Sequence, residues 1–445
     1  MAVTTYPVPD VVEFPVADPT GHSGKYLTTT DGIVTSWATV PDTGIGEYIS
    51  TTSVSIGVGS MTGNTGTECV SIGSNALSGT STAVANIGIG KNTLSVVTTG
   101  NTNACVGLES GMYITTGDFN VALGEFCLKG TSTTNVTGNN NVAIGKRAMV
   151  GVAGTDTSGY NNIGIGENAC TNVDTGHNNI GIGKNTCSGA VGGLSGENNV
   201  CIGGGCGEVI TTANTNVLIG SNSGAGITTG SSNVSIGAAA GNDITTGTNN
   251  VCIGTGSMLL ATETGNNVCV GTSTGAALTT GSGINTCIGA TAGDLITTGI
   301  NNTCLGYQAN PTGATVSNEF TLGNGSITDL RCNDTTISSL SDIRDKSNVV
   351  AIPYGLDFIN SMRPVQFDWT RRDRTMEGKV DLGFIAQELD EVEDQFDSHD
   401  YTRLVHKENP EKWEADPMKT YPILIKAIQE LSEKVTELEE KLANV

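Results

Sequence analysis

The sequence predicts a mainly β protein: an elongated shaft of stacked β-coils with about 17 residues per coil, followed by a small α+β domain that ends in a coiled-coil helix. Three observations predict it. A short motif recurs at a nearly constant interval, and the composition changes abruptly near residue 340. Glycine accounts for 61 of 445 residues, while aromatic residues make up only 4%. So few large side chains favour a thin architecture in which small residues stack.

The repeated motif is an aliphatic-small-aliphatic-Gly run preceded by asparagine, as in Asn250-Val251-Cys252-Ile253-Gly254. Its intervals are mostly 17 residues, with 16, 18 and 20 once each and 21 twice. A period this regular indicates a repeat architecture in which each unit stacks on the next. The sixteen closing glycines are Gly57, Gly73, Gly90, Gly107, Gly124, Gly145, Gly166, Gly183, Gly203, Gly220, Gly237, Gly254, Gly271, Gly289, Gly306 and Gly323.

Alternation around the small residue predicts a short strand with one face buried, and we expect stacked coils to bury the aliphatic pair. The glycine permits a tight or left-handed turn. A second turn signal, often Thr-Thr-Gly as in Thr228-Thr229-Gly230, predicts about two strands and two turns per unit. Asparagines four residues before the glycine, such as Asn233, predict a hydrogen-bonded ladder between coils.

Residues 1–48 differ from the repeats and contain clustered aromatic residues and prolines, such as Tyr6, Pro7, Phe14 and Pro15. The stretch from Gly24 to Ala38 resembles a segment frequent near the start of phage tail-fibre proteins. The resemblance implies an attachment region that packs against a virion or tail protein. A cap over the apolar end of the first coil is an equally good interpretation. We therefore divide the chain into this region, a shaft over 49–325, a linker over 326–340 and a C-terminal domain over 341–445.

Charge and cysteine usage narrow the class of partner. The formal net charge is -23, and residues 1–340 hold only seven Lys and Arg, which argues against nucleic-acid binding. The chain has 12 Cys and 4 His, but no C-x-x-C pair, so we predict no metal site and no cofactor. Six cysteines share the small position of the repeat and are interpreted as reduced packing residues: Cys105, Cys201, Cys252, Cys269, Cys287 and Cys304.

The beginning of the chain shows neither a basic segment nor an apolar one, so we expect no signal peptide. No run of 18 apolar residues occurs, and we expect no membrane insertion. At the other end, apolar residues alternate at intervals of three and four, which predicts a coiled-coil helix over 420–443. They are Tyr421, Leu424, Ile428, Leu431, Val435, Leu438 and Leu442.

Ser341 and Lys346 stand at the boundary where the composition changes. A serine and a lysine can form a nucleophile–base pair, provided that the lysine is neutral when it accepts the proton. On a helix, residues five apart point about 140° away from each other, so the pair requires a loop or strand. The spacing alone is a weak signal, and a solvated polar turn is the other interpretation.

The region 341–445 resembles the C-terminal intramolecular chaperone of endosialidase-type tailspikes and related phage fibres, a self-cleaving Ser–Lys peptidase. Four ordered blocks carry the resemblance after the opening Ser341-Asp342-x-Arg344-x-Lys346-x-Asn348. They are Gly355–Ile359, Arg363–Trp369, Gly383–Leu389 and Ala427–Leu431. The chain departs from the family pattern at the acidic run 390–394, where a proline-led strand is expected.

The resemblance implies that this domain trimerises the fibre and is then released by a single-turnover cut at Leu340–Ser341. Carried over, Ser341 is the nucleophile and Lys346 the general base. The implied protein is a homotrimer in the virion, assembled in the host cytoplasm, that binds a virion or tail protein through its N-terminus. It attaches to a host-surface receptor, such as a glycan.

Three alternatives remain. A non-viral trimeric surface adhesin has a similar stacked-repeat head, but normally requires a signal peptide and a membrane anchor. An ice-binding solenoid is suggested by the threonine pairs, yet adjacent threonines face opposite sides of a strand. A polysaccharide-degrading tailspike requires paired carboxylates on one face, and the acidic residues of the repeats hold no fixed register.

Overall fold

The computed structural model describes residues 52–151, 156–190, 193–281, 283–327, 329–331, 333, 341–370, 377–407, 410 and 413–444, together with the backbone of three short strands before residue 52. It divides into two compact units, Met1–Leu322 and Gly323–Val445. Most of the predicted N-terminal region and linker, including Leu340, lies outside the described residues.

The first unit is a parallel β-solenoid, and a strand precedes every predicted closing glycine. Before it lie β1 (Thr29–Thr30), β2 (Ile33–Val34) and β3 (Glu47–Ile49). The sixteen solenoid strands are β4 (Val54–Ile56), β5 (Val70–Ile72), β6 (Ile87–Ile89), β7 (Ala104–Val106), β8 (Val121–Leu123), β9 (Val142–Ile144), β10 (Ile163–Ile165), β11 (Ile180–Ile182), β12 (Val200–Ile202), β13 (Val217–Ile219), β14 (Val234–Ile236), β15 (Val251–Ile253), β16 (Val268–Val270), β17 (Thr286–Ile288), β18 (Thr303–Leu305) and β19 (Phe320–Leu322).

These strands form one ladder in which each pairs in parallel with the next, equivalent residues side by side. Val251 lies opposite Val234 and Ile253 opposite Ile236, for example. The ladder is an open row: β4 and β19 are its two ends. At the first end β3 pairs antiparallel with β4 and so covers the free edge of that strand.

The predicted orientation of the strands is wrong, because the structure reverses the two faces. The small middle residue is buried in β4 to β18, and neither aliphatic neighbour is buried in any solenoid strand. The middle residue is small in every strand from β4 to β18 except β13, where the larger Leu218 is also buried. A methyl group added at Gly164 would lie 2.9 Å from Cγ of Met149. Interior volume is instead filled by turn residues such as Ile227, Ile244 and Leu194.

Each coil contains one regular strand instead of the two predicted. The second side of the coil is held by turns and by a few isolated parallel bridges, such as Ile114 to Val136. The Thr-Thr-Gly segments lie on this side, where Thr229 is exposed and its backbone bends. Backbone hydrogen bonds still link successive coils here, as from Thr228 N–H to the Thr245 carbonyl at 3.1 Å.

The predicted asparagine ladder is confirmed. Asn250 donates from its backbone N–H and from Nδ2 to Oδ1 of Asn233, at 3.0 and 3.1 Å. Asn233 does the same toward Asn216, and its Nδ2 also donates to the Gly247 carbonyl at 2.9 Å. These side chains are completely buried. Each amide therefore satisfies backbone groups that no water could reach.

The closing glycines stack directly on one another. Gly220 has φ of +132°, a region that L-residues rarely adopt. A Cβ atom at this position would lie 2.5 Å from the carbonyl oxygen of Gly237 in the next coil. The glycine is thus required by both the turn and the close approach of successive coils.

The second unit has ordinary globular patterning. Its elements are a 3₁₀ turn (Ile343–Asp345), α1 (Leu356–Ser361), β20 (Val365–Asp368), β21 (Val380–Gly383), α2 (Ala386–Gln395), α3 (His399–Thr402), β22 (Val405–His406), β23 (Glu414–Ala415), a second 3₁₀ turn (Pro417–Thr420) and α4 (Tyr421–Ala443). Strands β20–β21 and β22–β23 form two antiparallel pairs. The core contains Phe358, Leu389, Leu404 and Ile423.

Helix α4 lies where the sequence predicts a terminal helix. Its first half packs through Ile423 and Ala427, whereas most of its predicted heptad positions are exposed, as at Leu438 (63%). None of the described helices is both long enough and apolar enough to cross a membrane.

Candidate functional site

The side chains of Ser341 and Lys346 lie close together at the start of the predicted C-terminal domain, 341–445. The Lys346 ammonium nitrogen lies 2.5 Å from Ser341 Oγ and 3.2 Å from the Ser341 carbonyl oxygen. Both side chains are exposed in the single chain. The hydroxyl and the amine are thus within direct proton-transfer distance.

A single 3₁₀ turn, Ile343–Asp345, produces this proximity. Asp342 caps it by accepting a hydrogen bond from the Arg344 N–H at 2.9 Å, and the Lys346 N–H closes it on the Ile343 carbonyl. Lys346 itself is extended, so its side chain points back toward the beginning of the turn. This is the non-helical geometry that a serine and a lysine five residues apart require.

Arg344 is the cationic residue nearest to Lys346 in the sequence, and it forms an ion pair with Asp342. The Arg344 guanidinium donates from Nε and Nη2 to the Asp342 carboxylate, and Nη2 lies 2.6 Å from Oδ2. That hydrogen bond lowers the pKa of Asp342. The carboxylate therefore stays ionised, and it accepts hydrogen bonds both from the Arg344 N–H in the turn and from the Arg344 guanidinium. The other predicted site residue, Leu340, lies outside the described residues.

The sequence blocks behind Ser341 contact one another in pairs. The first block begins α1, and the Leu356 N–H donates to Oε2 of Glu430 in the fourth block at 2.8 Å. The second and third blocks meet through Arg363, whose Nε lies 3.0 Å from Oε2 of Glu388. The first block therefore contacts the fourth, and the second contacts the third, although the members of each pair are distant in sequence.

The acidic run 390–394 forms the second half of α2, so the strand expected there is absent. Its charges surround His399. His399 Nε2 lies 2.8 Å from Asp394 Oδ1, and Nδ1 lies 3.4 Å from Oε2 of the fully buried Glu393. The hydrogen bond to Asp394 raises the pKa of His399.

One atom each of Asp390, Glu393 and His399 lies within 4.8 Å of the others, which is close enough for a divalent cation. The ammonium of Lys407 already contacts Asp390, however, and the Thr402 hydroxyl and the Leu404 N–H donate to Oε1 of Glu393. Protein groups therefore supply the compensating charge and hydrogen bonds. Sequence reasoning missed this cluster, although an acidic run followed by a histidine was visible.

A shallow cleft of about 440 Å³ lies on the shaft. Its lining includes Tyr113, Phe126, Lys129 and Arg147, together with the segment Gly130–Ser132. It coincides with the first interval of 21 residues, so the extra residues help to build it. Lys129 pairs with Glu109 at 2.5 Å, while the Arg147 guanidinium has no ion-pair partner among the described residues. Sequence reasoning missed this site, and the lengthened interval was the available signal.

The shaft cysteines are packing residues in the structure. Eleven of the 12 cysteines are described, and all eleven are buried and unbridged. Burial raises the pKa of Cys252 to about 12, so this thiol stays protonated at neutral pH. Cys252, Cys269, Cys287 and Cys304 occupy equivalent positions in successive strands.

Comparison with known proteins gives a match in the C-terminal domain. Neither the curated proteins nor the solved structures include a significant match to the chain. Residues 341–401 match the Peptidase_S74 family model, described as the chaperone of endosialidase. The match begins at Ser341, the predicted first residue after cleavage. The C-terminal region therefore carries a chaperone domain of the endosialidase type, and together with the β-solenoid it fits a tail-fibre or endosialidase-type protein.

Proposed function

We propose that this chain is a homotrimeric viral fibre or spike protein for host attachment, trimerised by its C-terminal domain, which then cuts itself off before Ser341. The observation that carries the proposal is the 2.5 Å approach of the Lys346 amine to Ser341 Oγ at the first residue of the matched family domain. A polar turn without a chemical role would not require that pairing.

The cut follows from the chemistry of this pair. Neutral Lys346 takes the proton of Ser341 Oγ as the oxygen attacks the carbonyl carbon of Leu340. The proton is returned to the Ser341 nitrogen as the C–N bond breaks, which leaves an ester between Leu340 and Oγ. Water then hydrolyses the ester to a C-terminal carboxylate on Leu340 and restores the Ser341 hydroxyl, now behind a new N-terminal amine. The reaction happens once per chain because the bond is not re-formed.

Assembly would control the timing of this reaction. A lysine serves as a base only when it is neutral, and burial favours the neutral form. Lys346 is exposed in the single chain. Association of three copies would remove water from the pair, so that cleavage follows trimerisation.

The number three rests on the kinship of the domain to chaperones of trimeric fibres. The heptads of α4 contain Ile428 and Val435 at one core position and leucine at the other, a pattern that by itself favours two strands. The helix is packed against α1 in its first half, however, and acts as one part of a larger interface. The mass of the purified full chain in solution distinguishes two copies from three.

The test of cleavage is the intact mass of the protein expressed as the full chain. Wild type is expected to give fragments 1–340 and 341–445. Ser341→Ala and Lys346→Ala are expected to stay whole and trimeric, and Ser347→Ala, the matched control on the next residue, to cleave normally. An uncut wild-type chain would refute autoproteolysis, and a cut Ser341→Ala chain would refute the assignment of the nucleophile.

Host attachment is supported by the cleft on the shaft. The Arg147 guanidinium, which has no ion-pair partner among the described residues, and the rings of Tyr113 and Phe126 line this cleft, a combination that suits a receptor such as a surface glycan. In a glycan-array measurement with the mature shaft, Arg147→Ala should lose at least about tenfold in affinity. Lys184→Ala, whose side chain pairs with Glu167 elsewhere on the shaft, is the control. Equal binding by both variants would place receptor contact elsewhere.

A further inference from the structure

The strand ladder presents a continuous aliphatic face to the outside of the coil. All sixteen third positions of the solenoid strands are Ile, Val or Leu, and twelve of the sixteen first positions are Val or Ile. Not one of these residues is buried, and Ile87, Leu123 and Ile288 are 40%, 38% and 42% exposed. We call this surface the aliphatic face. Exposed apolar surface of this extent marks an interaction site.

We propose that the aliphatic face is the surface through which the three shafts pack, side by side, each keeping its own complete coils. The proposal rests on the homotrimer proposed above and names the surface that builds it. It also means that the chains are not intertwined within a coil, because one chain completes each coil and its ladder hydrogen bonds alone.

The dimensions of the face select its occupant. Sixteen strands about 4.8 Å apart form a strip of roughly 75 Å. A partner that covers it must be equally long and carry apolar groups at the same spacing. A second copy of the shaft has both properties by construction.

Charge selects the same occupant. The solenoid strands contain no Asp, Glu, Lys or Arg, whereas acidic residues such as Glu167, Glu208 and Asp243 lie in the turns and bends. Copies of an acidic chain repel one another through their turns, but not through a charge-free face. Identical shafts can therefore approach closely on this side without bringing like charges together.

The available area is large enough. If each aliphatic residue of the face contributes about 40 Å², one copy presents on the order of 1,000 Å². A trimer divides this surface between two neighbours, so each pair of shafts buries on the order of 1,000 Å² in total, at the lower limit of a specific interface. The terminal helix provides a second surface of the same kind, since Ile428, Leu431 and Leu438 are 62%, 49% and 63% exposed. The heptads of that helix are likewise completed by further copies of the same chain.

The first test compares two substitutions within one coil. Ile253→Asp places a carboxylate on the aliphatic face, and Leu260→Asp places one on a turn residue that is 50% exposed. With the full chain, we expect the wild-type and Leu260→Asp shafts to remain trimeric on a detergent gel after moderate heating, and the Ile253→Asp shaft to dissociate into single chains. A resistant Ile253→Asp trimer overturns the inference.

A second test does not depend on tolerance of a charge. Cys332, the one cysteine outside the described residues, is first changed to serine, because the other eleven are buried. The variants Ile253→Cys and Leu260→Cys are then made in this Cys332→Ser chain and treated with a short bismaleimide under native conditions. Cross-linked dimers from Ile253→Cys, and none from Leu260→Cys, are expected, because one cysteine per chain lets the reagent join two of the three chains. Equal cross-linking, or cross-linking only at residue 260, refutes the assignment.

These outcomes separate the inference from the proposed function. A wild-type full chain that is not trimeric by sedimentation removes the proposed homotrimer and this inference with it. A wild-type trimer whose shaft ignores both substitutions at Ile253 leaves the C-terminal domain as the trimeriser and removes only the role of the aliphatic face.

Discussion

The shaft and the C-terminal domain are built on opposite principles. In the shaft, each side chain meets its equivalent about 17 residues away, as Asn250 meets Asn233. In the C-terminal domain, contacts join unlike residues far apart, as where Glu430 receives the N–H of Leu356, 74 residues earlier. A uniform ladder has many registers of nearly equal energy, whereas a globular core has one. If the chain is the trimeric fibre proposed above, this difference gives the C-terminal domain a role, because it could align the three chains before it is removed, whereas the repeated coils alone would allow several registers between chains.

Refolding tests this comparison most directly, and we expect the largest effect here. Once unfolded in strong denaturant, mature 1–340 should recover few trimers on dilution, because the domain that aligns the chains has gone. The uncleaved Ser341→Ala chain should recover them in several-fold higher yield, measured by native gel and sedimentation. Equal yields would show that the shaft sets its own register.

The asparagine ladder allows the stability of the shaft to be tested, with the second-largest expected effect. Asn233→Ala removes the acceptor of two hydrogen bonds from Asn250 and the donor to Gly247. Buried groups left unpaired should cost about 3 kcal/mol, or roughly 100-fold faster amide exchange at Asn250 if opening is local. Thr229→Ala, an exposed residue nearby, should change exchange little. Unchanged protection in Asn233→Ala would mean that the ladder contributes no stability.

The charge cluster tests the C-terminal domain, with the smallest expected effect. The pKa of His399 is raised by Asp394, and Glu393, Asp390 and Lys407 also face the ring. A raised folded-state pKa adds stability below the unfolded value of about 6.5, and this is lost as pH rises through the folded value. Because the ring is partly exposed, the loss should stay below about 1 kcal/mol.

Calorimetry of the full chain across that pH range measures this loss. His399→Gln should abolish the pH dependence of the C-terminal transition, and His406→Gln, an exposed histidine in the same domain, should keep it. A transition that is equally pH-dependent in His399→Gln would assign the effect to other groups.

In the C-terminal domain, the resemblance to a family predicted some features of the structure and not others. The resemblance named Ser341 and Lys346 and the blocks around them, and the geometry brings those two side chains together. It did not foresee that α2 continues through the acidic run to Gln395, nor that Glu393 is completely buried. Helix-compatible acidic residues can continue a helix when partners for their charge come from elsewhere, here from His399 and Lys407.

The sequence by itself determined the period, the sixteen coils, the closing glycines and the asparagine ladder. Each follows from a local requirement, such as a left-handed turn at Gly220, that recurs in every coil. Only the tertiary structure decided which side of the strand is inside. Alternation shows that two faces differ, but not which one is enclosed. In β15 the interior holds Cys252 and Ile253 lies outside, because turn residues and stacked amides already fill most of the space.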